Sequence, residues 1–198
     1  MKRKLLLLSV AVLFVLAISF TPQAGGGRTL AQGASSTTTD VLDNTFTPIP
    51  GAYSRLTRNN NSITANIHTL NLPPGAYSVW WVIWNHPENC ATDCLSDPDD
   101  VDDSLGTGET FVNATGHVVG GRVAANFSAS LSVGGPYSGE FFFGPGLTNP
   151  RGVLVLLVVR SHGPTIPGMI PQQTSYFEGG CPGGGAPCED MQFVVFAP

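Results

Sequence analysis

The chain has 198 residues, including 24 glycines and 16 prolines, and carries a formal net charge of −5. This load of turn formers argues against long helices, and the length suits one domain with a hydrophobic core. An acidic chain without basic clusters repels phosphate backbones, so nucleic acid is excluded as an expected partner.

The chain begins with a segment typical of a secretory signal peptide. Residues 1–4 are Met-Lys-Arg-Lys, and residues 5–20 are apolar apart from two serines. A basic start, an apolar run and small residues suited to cleavage after Ala31 form the pattern that the export machinery recognises. We therefore predict a signal peptide over residues 1–31 and a protein that is secreted, periplasmic or at the cell surface. Only an uncleaved signal segment would attach it to a membrane.

Removal of the signal segment changes the charge balance. Five arginines then face all fourteen acidic residues, which leaves a formal net charge of −9 and no lysine. Residues 32–42 are mostly small and polar, a composition that predicts a flexible N-terminal segment. Residues 43–198 are expected to form a single domain.

Short apolar runs separated by turn residues occupy most of this domain. Residues 62–70 and 122–132 alternate apolar with polar side chains, the period of a strand with one buried face. Residues 76–84 and 153–159 are apolar on both faces, which indicates strands covered on two sides. Shorter strands are expected at residues 111–119, 140–143, 172–177 and 191–196. The pattern predicts an all-β antiparallel β-sandwich of about seven to nine strands.

Four cysteines, an even number, indicate disulfides in an exported chain. Their spacing favours the local pairs Cys90–Cys94 and Cys181–Cys188, each of which closes a small loop rich in turn formers. A zinc site built from all four thiolates is the alternative, although the six residues between the last two cysteines exceed the usual ligand spacing.

Residues 85–109 are the longest stretch without a strand pattern, and loops of this length often carry function. The stretch is rich in carboxylates, whose oxygen atoms are the ligands that calcium prefers. Its spacing does not match an EF-hand loop, and a solvated acidic loop is the alternative. The candidate calcium ligands are Asp97, Asp99, Asp100, Asp102 and Asp103.

Histidines offer a second kind of metal site, for copper or zinc. The candidates are His86 at the start of the acidic loop, His117 in a predicted strand and His162 just after the run 153–159. No two of them stand at a ligand-like spacing on one strand. Structural histidines held by hydrogen bonds are therefore the alternative.

Tryptophans suggest a carbohydrate site. Trp80 and Trp84 would lie about 13 Å apart on one face of an extended strand, a spacing that suits stacking on an oligosaccharide. Burial of both strand faces is the alternative, and the aliphatic residues between them favour it.

Catalytic signatures are absent from the sequence, which has no G-x-S-x-G, H-E-x-x-H or P-loop motif. Residues 72–90 read LPPGAYSVWWVIWNHPENC, and residues 113–120 and 158–164 read NATGHVVG and VVRSHGP. These runs, together with residues 188–193, resemble a pattern found in secreted bacterial β-rich proteins that have no assigned activity. The resemblance implies export and a shared fold, and it transfers no catalytic residue.

The sequence therefore predicts an exported, non-enzymatic module with a binding or structural role and a protein or glycan partner. A metal-binding protein, with calcium or with copper or zinc, is one alternative. A carbohydrate-binding module that uses the tryptophans is the other.

Overall fold

The computed structural model describes residues 33–91, 93–95, 105–121, 124–181 and 188–198. This part of the chain is almost entirely β-structure, with a 3-10 turn at Pro87–Asn89 and one short helix, α1 (Ile170–Ser175). The strands are β1 (Ser35–Asp43), β2 (Pro48–Arg58), β3 (Ser62–Leu70), β4 (Gly75–Trp84), β5 (Glu109–Val119), β6 (Ala124–Ser132), β7 (Phe141–Phe143), β8 (Leu154–Ser161) and β9 (Glu189–Phe196). No helix within the described ranges is long and apolar enough to span a membrane.

All nine strands belong to one antiparallel sheet, in the order β6-β3-β2-β1-β9-β8-β4-β5-β7. The sheet curls, because β5 and β6 stand far apart in this order and yet contact each other. Its two halves are joined where β1 pairs with β9 through Leu42↔Phe193 and Asp43↔Gln192. We call β6-β3-β2-β1 the first half and β9-β8-β4-β5-β7 the second half.

The inner faces of the two halves enclose one hydrophobic core. Leu56, Ile63 and Phe127 from the first half pack in the same cluster as Trp81 and Leu157 from the second. Removal of this apolar surface from water is the dominant favourable term in folding. The prediction of an all-β antiparallel fold with seven to nine strands is confirmed.

The N-terminal strand corrects one expectation. Residues 32–42 were expected to be flexible, but Ser35–Asp43 form β1 and pair with β2 from Ser35↔Arg58 to Asp40↔Tyr53. Three consecutive β-branched threonines at residues 37–39 favour extended backbone. Backbone hydrogen bonds to β2 then hold these threonines in the sheet, although most of their side chains remain exposed.

Two further elements differ from the sequence pattern. The sequence of β2 shows no simple alternation of apolar and polar residues, because polar Ser54 and Arg58 point inward whereas aromatic Tyr53 points outward. Residues 172–177 were expected to be a strand, but α1 covers most of them. Its Pro171 lies in the first helical turn. Backbone nitrogens there make no hydrogen bond within the helix, so the missing N–H of proline removes none.

The outer face of the second half is covered by residues 163–181, which we call the cap. Helix α1 of the cap packs on β4 and β5. Gly116 of β5 makes this close approach possible, because a Cβ there would overlap the carbonyl oxygen of Thr174. Arg160 of β8 binds the cap on its sheet side. Its Nε donates to the Phe177 carbonyl at 3.0 Å, and its guanidinium carbon lies 3.7 Å from the centre of the Phe177 ring.

Candidate functional site

The outer face of the first half carries three rows of polar side chains across β1, β2, β3 and β6. Directly paired residues in antiparallel strands share a face, so the strand register defines the rows. They are Asp40–Tyr53–His68–Asn126, Thr38–Arg55–Asn66–Ser128 and Ser36–Thr57–Thr64–Ser130. We call these residues the polar face. All of them are at least partly exposed, whereas their neighbours along β2 and β3 are buried.

A groove of about 430 Å³ lies on the polar face. The Tyr53 ring is 50% exposed and lies 5.2 Å from the His68 ring at an interplanar angle of 34°. His68 Nδ1 is 2.8 Å from Asn126 Oδ1, which orients the imidazole. The polar-face residues that line the groove are Tyr53, Arg55, Asn66, His68, Asn126 and Ser128.

Hydrogen bonds between neighbouring strands order the other side chains of the polar face. Ser128 Oγ donates to Asn66 Oδ1 at 2.9 Å, and Arg55 Nε donates to Ser36 Oγ at 2.6 Å. The groove thus combines one open aromatic ring with amide, hydroxyl and guanidinium groups held in place. Such a combination can bind a ligand that has both an apolar face and many hydroxyl groups.

The tryptophans lie elsewhere, and the prediction of a stacking platform at Trp80 and Trp84 is corrected. Trp80 is 0% exposed and packs edge-on against Phe111 and Phe177 at ring-centre distances of 5.2 and 5.3 Å. Trp84 is 2% exposed and packs with Cys94. The cap and loops cover this side of β4, so neither ring offers a face to a sugar.

The histidines do not come together, so the copper or zinc site expected from His86, His117 and His162 is corrected. His117 is partly buried and stacks on Phe127 at a ring-centre distance of 4.4 Å, and burial lowers its pKa. His162 lies on the opposite face of the sheet. His86 follows the far end of β4 and is exposed, with Nδ1 3.2 Å from Glu88 Oε1.

His162 is the centre of a buried hydrogen-bond chain. Its Nε2 lies 2.7 Å from Ser78 Oγ, and its Nδ1 lies 2.8 Å from the Gly179 carbonyl oxygen. Trp80 Nε1 donates to Ser78 Oγ at 2.7 Å. Because the indole can only donate and the carbonyl can only accept, Ser78 donates to Nε2 and His162 carries its proton on Nδ1. Burial lowers the pKa of His162, in agreement with this neutral form.

The Ser78–His162 contact has the geometry of a nucleophile and its base, yet both residues are 0% exposed. Their hydrogen bonds join β4 to the Gly179 segment of the cap. A substrate cannot reach the hydroxyl group in this structure. The pair therefore connects the cap to the sheet.

The cysteines form the two local pairs that their spacing favours. Cys90 is bonded to Cys94, and Cys181 to Cys188, with Cα–Cα distances of 5.4 and 5.8 Å. The first pair packs near Trp84 and the second near His162, at opposite ends of β4. The alternative prediction, a single zinc ion bound by all four thiolates, is therefore wrong.

The base of the loop over residues 85–109 is held by Asn85, which is fully buried. Its Nδ2 donates to the carbonyls of Gly108 and Gly146, both at 2.8 Å. Its Oδ1 accepts from the backbone nitrogens of Thr148 at 2.7 Å and Asn149 at 3.1 Å. The candidate calcium ligands Asp97, Asp99, Asp100, Asp102 and Asp103 lie outside the described residues.

Comparison with protein-family models, curated proteins and solved structures found no match to the chain. The polar face is thus the candidate site on geometry alone. Sequence analysis missed Tyr53 and Arg55 because β2 lacks a regular pattern. The alternation over residues 122–132 did place Asn126 and Ser128 on the solvent side of their strand. These two residues were the part of the polar face that the sequence could indicate.

Proposed function

We propose that the chain is an exported, non-enzymatic binding module that binds a neutral carbohydrate on the polar face. The observation that carries this proposal is the half-exposed Tyr53 ring, set beside a groove lined with amide, hydroxyl and guanidinium groups. A sugar ring offers an apolar C–H face to an aromatic ring, and its hydroxyls pair with polar side chains.

The dimensions of the polar face suit an oligosaccharide. Neighbouring strands lie about 4.8 Å apart, and side chains two residues apart on one strand lie about 7 Å apart. Groups in adjacent rows therefore meet successive hydroxyls of an extended sugar chain. Asp40 and Arg55 contribute one formal charge of each sign, which favours a neutral ligand over an anionic one.

Three observations support the rest of the proposal. The basic and apolar leader over residues 1–31 favours export. The two cysteine pairs are at disulfide distance, which suits an oxidising compartment. The Ser78–His162 pair is fully buried, so this serine and its imidazole are inaccessible to a substrate, which favours a binding role.

Affinity electrophoresis tests the proposal with gels that contain hydroxyethyl cellulose, xylan, galactomannan or mixed-linkage β-glucan. We expect at least one polysaccharide to retard the protein. Tyr53→Ala should weaken that binding at least tenfold because it removes the stacking surface. Tyr176→Ala is the matched control, since Tyr176 is 51% exposed but lies in the cap.

Two results would contradict the proposal. One is that none of the four polysaccharides retards the wild-type protein. The other is that Tyr53→Ala and Tyr176→Ala bind alike, which would move the ligand site away from the polar face. Binding through residues 85–109 would give this second result.

A further inference from the structure

A second site lies under the cap, where His162 meets the Cys181–Cys188 pair. Among the residues that the structure describes, these side chains form the one group of three or more metal-ligating residues whose donor atoms all lie within 4.8 Å of one another. His162 Nδ1 is 3.6 Å from Cys181 Sγ and 3.8 Å from Cys188 Sγ. His162 and Cys188 are buried, and Cys181 is partly exposed.

These distances fit one zinc ion. Zinc–sulfur bonds of about 2.3 Å and zinc–nitrogen bonds of about 2.0 Å, at tetrahedral or trigonal angles, place sulfur and nitrogen about 3.5 to 3.7 Å apart. The two sulfurs of such a site are about 4 Å apart, whereas a disulfide holds them at about 2 Å. Breakage of the disulfide is therefore the main change that the site needs.

The surroundings supply the other parts of a zinc site. Ser78 Oγ lies 2.7 Å from His162 Nε2 and can hold the ring when Nδ1 binds metal. A groove of about 690 Å³, lined by Met169, Glu178 and Cys181 among others, opens beside the three donors. It offers a path for the ion and space for a water molecule as the fourth ligand.

We propose that His162, Cys181 and Cys188 form a redox-gated zinc site. In the oxidised protein the two sulfurs are bonded to each other and no metal binds. A dithiol reductant gives the S–S bond two electrons and two protons and becomes a disulfide itself. Zn²⁺ then replaces both thiol protons, which pass to solvent. The imidazole proton moves from Nδ1 to Nε2, so that Nδ1 binds the ion and Nε2 donates to Ser78.

The other cysteine pair gives the experiment its matched control. Cys90 and Cys94 form an equally local disulfide that belongs to no such group of donors among the described residues. The Cys90→Ser/Cys94→Ser variant retains only the candidate site, and Cys181→Ser/Cys188→Ser retains only the control pair. Each is reduced with a dithiol and separated from it without oxygen. Zn²⁺ affinity is then measured by competition with a chromophoric chelator.

We expect the reduced Cys90→Ser/Cys94→Ser variant to bind one Zn²⁺ per chain, and its oxidised form to bind none. Reduced Cys181→Ser/Cys188→Ser should bind at least a hundredfold more weakly. Addition of His162→Gln to the first variant should weaken binding at least tenfold, because an imidazole ligand is lost. Equal affinity of the two cysteine pairs, or binding by the oxidised form, would overturn the proposal.

X-ray absorption on the zinc-loaded Cys90→Ser/Cys94→Ser variant keeps the proposal testable if His162→Gln fails to fold. Two sulfur neighbours and one imidazole in the zinc shell would support the site. A shell of sulfur and water without imidazole would overturn it. The polar face lies on the other half of the sheet, so this result is independent of carbohydrate binding.

Discussion

In the first half of the sheet, β3 and β6 bury about every second side chain and leave the others at least partly exposed, whereas β4 and β8 of the second half are buried on both faces. The first half thus leaves a polar surface that nothing among the described residues covers. The second half needs a cap, two cysteine pairs and a cluster of aromatic rings to shield its outer face. The difference suggests a division of roles: the open face meets ligands, and the covered face contributes stability and contains the candidate zinc site.

The largest expected effect comes from a methyl group placed under the cap. Gly116→Ala should lower the free energy of unfolding by about 3 kcal/mol or more, since the new Cβ meets backbone oxygens of Thr174 and Tyr77. Gly120→Ala, just beyond the same strand, has no atom within 4 Å of its new Cβ and should change stability by less than about 0.5 kcal/mol. Urea denaturation compares the two variants. Equal stabilities would mean that the cap does not rest on β5.

A serine-to-alanine change on each outer face sharpens the contrast. Ser78→Ala should cost about 2 kcal/mol because it leaves the buried Trp80 Nε1 and His162 Nε2 without their partner. Ser128→Ala removes one exposed hydrogen bond to Asn66 and should cost less than about 0.5 kcal/mol. The same denaturation assay measures both costs. A larger cost at Ser128 would reverse the assignment of the covered and open faces.

Acid should destabilise the protein through the imidazoles whose pKa burial lowers, and the partly buried His117 tests this. Burial holds its pKa below the unfolded value of about 6.5, so the unfolded chain takes up the proton first. The contribution of His117 to stability is therefore fully present above about pH 6.5. It is lost as the pH falls below that value, by at most about 1.4 kcal/mol per pH unit. His117→Gln should lose less stability between pH 7 and pH 5 than the wild type. Parallel curves for the two proteins would show that His117 titrates normally.

The smallest effect on stability is expected on the polar face. Asn66→Ala and Asn126→Ala should change the free energy of unfolding by less than about 0.5 kcal/mol each, because both side chains are exposed. Both should nevertheless weaken retention in the polysaccharide gels, since they remove hydrogen-bonding groups that line the groove. Loss of stability without loss of retention would identify them as structural residues.

Most strands could be predicted from the sequence, including β5 and β9 as shorter strands, whereas β1 and β2 could not. β3, β4, β6 and β8 follow apolar periodicities, and their predicted positions agree with the structure within a few residues. β2 was not predicted because buried Arg58 interrupts its inner face. That guanidinium donates to the carbonyls of Val153 and Ala197, both at 2.8 Å, and these partners are far away in sequence.

The candidate site depends on strand register, which local patterns do not contain. Asn126 and Ser128 were placed on the solvent side of β6, but their position beside His68 and Asn66 follows from the pairing of β3 with β6. The position of His162 next to Cys181 depends on how the cap folds back over β8. Buried Gln173 helps to fix that fold through a hydrogen bond from Ile166 N to its Oε1 at 2.9 Å.

Nuclear magnetic resonance mapping of ligand contacts tests the division of roles most directly. The isotope-labelled protein would be titrated with an oligosaccharide from the polysaccharide that retards it. We expect the amide shifts that change on binding to cluster in β2, β3 and β6 around Tyr53, with the cap unaffected. Shifts concentrated in residues 163–181, or in the loop after β4, would contradict the assignment of the polar face as the binding site.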